Sequence, residues 1–223
     1  MKEKAVSLVV TAPYARRQRG TGDELRTKVI RVASEMMAEL GDVDALTMRD
    51  IASAAGVTAP SVYRHFPNKH TLLRTVITER FDELSGELRA AAAAAGDEPM
   101  NRLDAIVREY VRSGLANPGH YRVLFSTTNA GPAGLGLAEG ERHPGTGSLG
   151  ILFEAVSACL SAADDADATF VLAIGVWTSL HGIVDLRITK PDMPWPPTDQ
   201  LVDDALTRVR TAASCGPHER KPS

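Results

Sequence analysis

Apolar residues along this chain recur three and four positions apart, and no stretch alternates with period two for long, so helix is the predicted element throughout. Asp23 can cap a first helix with Leu25, Val29, Val32, Ala33, Met36, Met37 and Leu40 on one face, ended by Gly41. Two very short helices follow. Thr47 reads as an N-cap with Asp50 as its capping-box partner, and Ile51, Ala52 and Ala55 give the first short helix an apolar side. Gly56 supplies the left-handed residue of a sharp turn. Thr58 caps the second short helix, Pro60 sits in its first turn, and Phe66-Pro67-Asn68 ends it. A fourth helix starts at Asn68 and carries Leu72, Leu73, Val76, Ile77, Phe81, Leu84 and Leu88 into the run Ala91–Ala95, closed by Gly96 and Pro99. A fifth, over 100–115, turns Leu103, Ile106, Val107, Tyr110 and Val111 inward. Asn117-Pro118 breaks it, and His120 to Ser126 form a short sixth.

Residues 128–147 hold six glycines and two prolines and read as a mobile loop. Two long helices are expected over 148–163 and 167–189. The second is apolar nearly all round and must be buried on more than one side. Pro191, Pro194, Pro196 and Pro197 make a stiff connector, and Thr198 caps a last amphipathic helix with Leu201, Val202, Ala205, Leu206 and Val209 on one face. The expected fold is all-α: an N-terminal three-helix module over 20–68, a helical domain over 69–213, and flexible tails at 1–19 and 214–223.

Two short helices crossing steeply around a glycine turn make a helix-turn-helix, whose second helix fits the DNA major groove. Thr58, Ala59 and Ser61 are small or hydroxylic and lie near its N-terminus, where they can approach base edges. Tyr63 and His65 carry polar tips that can reach phosphates, while Val62 and Phe66 point to the core. Arg49, in the first turn of the preceding helix, is the best candidate for a bidentate guanine contact, the alternative being a solvated salt bridge. Arg64 can read a base or bind phosphate. Lys69 opens the fourth helix, where its ammonium and the helix N-terminus both attract phosphate, and Thr47 occupies the same place on the second helix. Arg16, Arg17 and Arg19 are either an arm over the DNA or an expendable leader.

The run Val57-Thr58-Ala59-Pro60-Ser61-Val62-Tyr63-Arg64-His65-Phe66-Pro67-Asn68-Lys69 closely resembles the recognition-helix signature of the tetracycline-repressor (TetR) family of bacterial regulators. The close resemblance covers roughly residues 23 to 80, and the rest agrees in architecture. Trp177-Thr178-Ser179-Leu180-His181-Gly182 is similar to a tryptophan-His-Gly signature of one C-terminal subgroup. The resemblance implies that Tyr63, His65 and Lys69 are backbone contacts to DNA.

At 223 residues and 43% apolar, the chain can bury a sizeable core as one domain plus a small module. The net charge of −3 hides an asymmetry. Residues 1–70 hold 11 Lys+Arg against 8 Asp+Glu, and the remainder holds 14 against 20. A basic front and an acidic back suit a protein that docks DNA with one end. Cys159 and Cys215 make no metal or disulfide framework, and Cys159 reads as a small core hydrophobe. The apolar run Ala5 to Val10 is too short for a signal peptide, and the stretch from Phe170 to Val184 is interrupted by Thr178, Ser179 and His181 and too short for a comfortable membrane span. A soluble cytoplasmic protein is expected, with no membrane partner and no cofactor.

Tyr110, Tyr121, Phe125, Phe153, Trp177 and His181 can be core residues. Trp177 and His181, four residues apart on a nearly all-apolar helix with Gly175 and Gly182 beside them, also suit a cavity. The candidate ligand site is Tyr110, Phe125, Phe153, Trp177 and His181. His181 and Asp185 alone are too few for a metal. No nucleophile–base pair, phosphate-binding glycine loop or metalloprotease motif appears, so no catalytic residue is assigned. These features predict a homodimeric regulator, a repressor released from a palindromic double-stranded operator by a largely apolar small-molecule effector, with the last two long helices pairing between subunits. The alternatives are a DNA-binding regulator without a ligand and an enzyme with an incidental helix-turn-helix.

Overall fold

The computed structural model describes residues 22–40, 46–125, 135–160 and 165–214, and these contain nine helices and no strand. The expectations about Arg16, Arg17 and Arg19, the run Ala5 to Val10, Gly41, Ser126, Cys215 and the two tails fall outside the described residues, except for Ser214.

The helices are α1 (Gly22–Leu40), α2 (Met48–Ala54), α3 (Ala59–Tyr63), α4 (Lys69–Ala94), α5 (Pro99–Ala116), α6 (Pro118–Phe125), α7 (Thr146–Cys159), α8 (Ala166–Thr189) and α9 (Thr198–Ser214). Several ends differ from expectation for reasons of capping. Pro99 opens α5 rather than closing α4, because the Glu98 carboxylate accepts the Asn101 N–H at 2.6 Å and a proline in the first turn loses no hydrogen bond. Pro118 likewise takes the first position of α6, where its missing N–H is not needed. Asp23 and Thr198 lie inside the first turns of α1 and α9. The described end of the glycine-rich connection is pinned: Leu135 is buried, and Glu141 pairs with Arg74 of α4 and accepts the Ala138 N–H.

Val29, Ala33 and Met37 of α1 share a core with Leu46, Ile51, Val62 and Phe66, each at most 1% exposed. Burying a side chain such as Val62 or Phe66 contributes roughly 1.5–3 kcal/mol, enough to hold a helix as short as α3 that could not form alone. The first part of α4 packs on α1, and α4 also packs on α5 and α7, so one core continues through the molecule. The short α6 lies between α1 and the pair α4 and α5. Two glycines permit these approaches. A Cβ at Gly119 of α6 would lie 2.8 Å from Ala38 Cβ of α1, and one at Gly114 of α5 would lie 2.7 Å from Val184 Cγ1 of α8.

Helix α9 docks on its own chain. Val202, Leu206 and Val209 are 1% exposed or less, and Arg108 of α5 reaches Asp199 and Asp203 at 3.0 and 2.7 Å. Helix α8 is 24 residues long and, by length and composition alone, apolar enough to cross a membrane, which corrects the shorter stretch read from the sequence. It packs instead against α5, α7 and α9, with Asp185 and Arg187 in its second half. Burial is one-sided: Phe170, Val171 and Leu186 are 50, 69 and 38% exposed.

Candidate nucleic-acid interface and ligand cavity

The turn between α2 and α3 is built as the sequence predicts. The Asp50 N–H donates to Thr47 Oγ1 at 3.2 Å, and the Thr47 N–H donates to Asp50 Oδ2 at 3.2 Å, a closed capping box. The Thr47 hydroxyl also donates to Asp50 Oδ2 at 2.5 Å, so this end of α2 already carries a carboxylate where a phosphate was expected. Gly56 has φ of +65°, which only glycine adopts without strain. Thr58 precedes α3 but makes no side-chain cap. Its Oγ1 meets Ser61 Oγ at 2.9 Å, and Arg64 Nη2 donates to the same Ser61 Oγ at 3.2 Å. This chain of three side chains lays the guanidinium along α3, a link the sequence did not reveal.

Val62 and Phe66 face inward, and the Arg26 guanidinium sits 5.6 Å from the Phe66 ring centre. On the outer side, Arg49, Thr58, Tyr63 and Arg64 are exposed, while Ala59, Ser61, His65 and Lys69 are half-buried. Arg49 makes no ion pair among the described residues, so the salt-bridge alternative is not formed. Asn68 caps α4 by accepting the Thr71 N–H at 2.8 Å, which places Lys69 at the helix's first position.

The C-terminal helices line a partly open cavity of about 310 Å³. Three of the five residues singled out in the sequence line it: Tyr110, Phe125 and Trp177. Phe153 does not. It stacks against the exposed Phe170 at 6.2 Å between ring centres, on another side of α7 and α8. His181 stands one layer behind the wall, with Nδ1 2.5 Å from the Tyr121 hydroxyl and its ring 5.6 Å from Trp177. Burial holds the His181 pKa below its usual value against the opposing pull of Asp185. The glycines thought to leave room beside Trp177 point elsewhere. A Cβ at Gly182 would meet nothing within 4 Å, and one at Gly175 only Arg208 at 3.6 Å. Helical geometry explains this, since two residues along a helix turn the side chain by roughly 200°.

Gly145 does line the cavity, and its missing side chain lets the backbone pack directly on Phe81, which a Cβ would approach to 2.9 Å. Phe81, Leu88, Ile106, Leu152 and Leu180 also belong to the apolar wall. All but Leu152 and Leu180 were visible as inward positions, but nothing in the sequence told wall from filled core. A second, wetter cavity of about 200 Å³ lies between Arg80, Glu83, Glu87 and His120, and shares Tyr110, Leu124 and Phe125 with the first. Among the described residues no three His, Cys, Asp or Glu side chains cluster to hold a metal.

The family model described as "Bacterial regulatory proteins, tetR family" matches residues 29–76, and that described as "Tetracyclin repressor-like, C-terminal domain" matches residues 103–209. Over 82 residues the chain is 35% identical to the HTH-type transcriptional repressor KstR2 of Rhodococcus jostii strain RHA1, covering 37% of this chain and 39% of that protein. Over 93 residues it is 33% identical to the HTH-type transcriptional repressor KstR of Mycolicibacterium smegmatis, covering 42% and 45%. The chain thus spans less than half the length of these curated relatives. The fold is similar to that of the fatty acid degradation regulator FadR from Bacillus halodurans, with a TM-score of 0.64 at 17% identity over 92% of this chain and all of that one.

Proposed function

The chain belongs to the TetR family of bacterial regulatory proteins, and from that premise we propose that it is a cytoplasmic transcriptional regulator, a repressor that leaves a palindromic operator when a largely apolar small molecule enters the C-terminal cavity. Residues 20–68 are the DNA-binding module and 69–213 the sensing and dimerisation domain. The observation that carries this reading is the two-sided build of the α2–α3 unit. Its inner face is locked by Ile51, Val62 and Phe66, while Arg49 and Tyr63 stand outward. A rigid helix with an outward polar face is what groove recognition needs.

One recognition helix per chain is too little surface for specific binding, so the active form is a two-fold dimer. The partner covers the outward side of α8, where Phe170, Val171 and Leu186 are exposed and Gly182 has open space above it. Leu206 and Val209 of α9 are buried in the chain's own core and do not form this seam. α8 and α9 with their mates make a four-helix bundle.

The test is selection of DNA from a random pool by the full chain. Enrichment of a palindrome, with half-sites bound far more weakly, supports the reading. Binding indifferent to sequence, or equal on whole and half sites, refutes it.

A further inference from the structure

The wall of the larger cavity contains no Asp, Glu, Lys or Arg. Apart from the His143 ring, whose Nδ1 is already taken as an acceptor, a charged group there would have no counter-charge, and burying an unpaired charge is strongly unfavourable. The few polar groups in the wall are already matched to one another. Ser148 shares a 2.8 Å hydrogen bond with Ser85, and Thr146 donates to the His143 carbonyl at 2.8 Å. The His143 ring accepts the Gly145 N–H at 3.0 Å.

One group is left over. The Tyr110 hydroxyl is sealed from solvent and has no hydrogen-bond partner among the described residues, although the residue is 94% buried. Tyr121 and Trp177 lie close enough to favour its ionised form, but neither makes a well-formed hydrogen bond to it. Burial outweighs both and pushes its pKa up to about 12, so the hydroxyl keeps its proton as a donor. A buried donor without a partner is costly, and native structures contain few of them. Leu124 and Phe125 of α6 line both cavities beside Tyr110, with the Phe125 ring centre 6.1 Å from that of Tyr110.

We propose that the cavity takes an uncharged, mostly apolar molecule bearing one hydrogen-bond acceptor, and that the Tyr110 hydroxyl donates to that acceptor. The proposal rests on the ligand-sensing reading above and narrows it to a chemical class. At protein-like packing, 310 Å³ holds a molecule of roughly 12 non-hydrogen atoms.

The experiment uses three probes of nearly one shape: 2-naphthol, naphthalene and 2-naphthoate. Their binding to the full chain is followed at pH 7 by calorimetry and by Trp177 fluorescence in a Trp195→Phe background, with no DNA present. 2-Naphthol should bind about five- to tenfold more tightly than naphthalene, the gain expected of one hydrogen bond to a buried donor. 2-Naphthoate should bind most weakly of the three. Tyr110→Phe should abolish the naphthol advantage and leave naphthalene affinity unchanged or slightly higher. A Leu152→Trp variant, which fills the cavity, should lose both. The proposal is overturned if the carboxylate binds as well as the phenol, if Tyr110→Phe weakens naphthol and naphthalene equally, or if none of the probes binds. Operator release is measured separately. Probes that bind in the expected order without releasing DNA would leave this assignment standing and sink the ligand-released repressor.

Discussion

Replacing Gly119 by alanine drives a wedge between α6 and α1. The added Cβ would lie 2.8 Å from Ala38 Cβ and 2.9 Å from the Ala38 carbonyl oxygen, about 0.6 Å short of the 3.4 Å at which ordinary contact begins. One of these atoms is helix backbone and the other is fixed rigidly to it, so neither can swing aside, and the two helices must part. Overpacking of this kind costs about 1–3 kcal/mol, offset by at most about 1 kcal/mol from alanine's better helix propensity. For a chain of this size each kcal/mol lost lowers Tm by roughly 2–4 °C. Gly86→Ala is the control: it also lies within a helix, and its Cβ would meet nothing within 4 Å, so it should be neutral or stabilising. Helix α6 carries Leu124 and Phe125 at the cavity and Gly119 against α1 of the DNA-binding module. Gly119→Ala should therefore lower operator affinity while leaving probe binding near wild type, since Gly119 lines neither cavity. Thermal unfolding and fluorescence-anisotropy titration of operator DNA measure the two effects. If Gly119→Ala proves as harmless as Gly86→Ala in both, the α1–α6 contact is neither tight nor a link between the two ends of the molecule.

Arg49→Ala should lose roughly 1–3 kcal/mol on the selected operator and little on random DNA, whereas Tyr63→Phe should weaken both evenly; equal losses for Arg49→Ala in the anisotropy assay would refute the guanine contact. Val171→Glu, on the exposed side of α8, should give a helical monomer by sedimentation at micromolar concentration, while Leu206→Glu, inside the chain's own core, should unfold it; an unchanged Val171→Glu dimer would move the seam elsewhere. His181 and His120 both titrate below the usual 6.5, chiefly through burial, with Asp185 opposing at His181 and Arg80 adding to the shift at His120. The unfolded chain then binds more protons than the folded one between the folded values and 6.5, so their contribution to stability is full above that pH and is lost as pH falls through the folded values. Urea midpoints should fall on acidification through this window, less so in His181→Phe, and a midpoint that rises would overturn the assignment. Thr47→Ala opens the capping box and should lower stability by about 1 kcal/mol in the same urea assay; no change would mean the cap is not formed.

What the sequence determined by itself is whatever lies within a few residues along the chain. The Thr47–Asp50 box, the left-handed Gly56, the Asn68 cap and the inward Val62 and Phe66 depend on neighbours three or four positions away, and helical geometry fixes those distances in advance. The same geometry sets Gly175 and Trp177 on different sides of α8. Other features were decided only by tertiary structure. A cavity is a place where five helices fail to meet, and residues lining it share their apolar character with residues that fill a core; Phe153 and Tyr110 cannot be told apart until the helices are placed. His181 withdrew from the wall because Tyr121, sixty residues earlier, took its ring nitrogen. Leu206, on the single apolar face of amphipathic α9, faces its own chain, while Val171 faces outward because α8 has one more apolar side than the monomer can cover. Hydrophobicity records that a side chain leaves water; only the packing of distant segments determines which surface receives it.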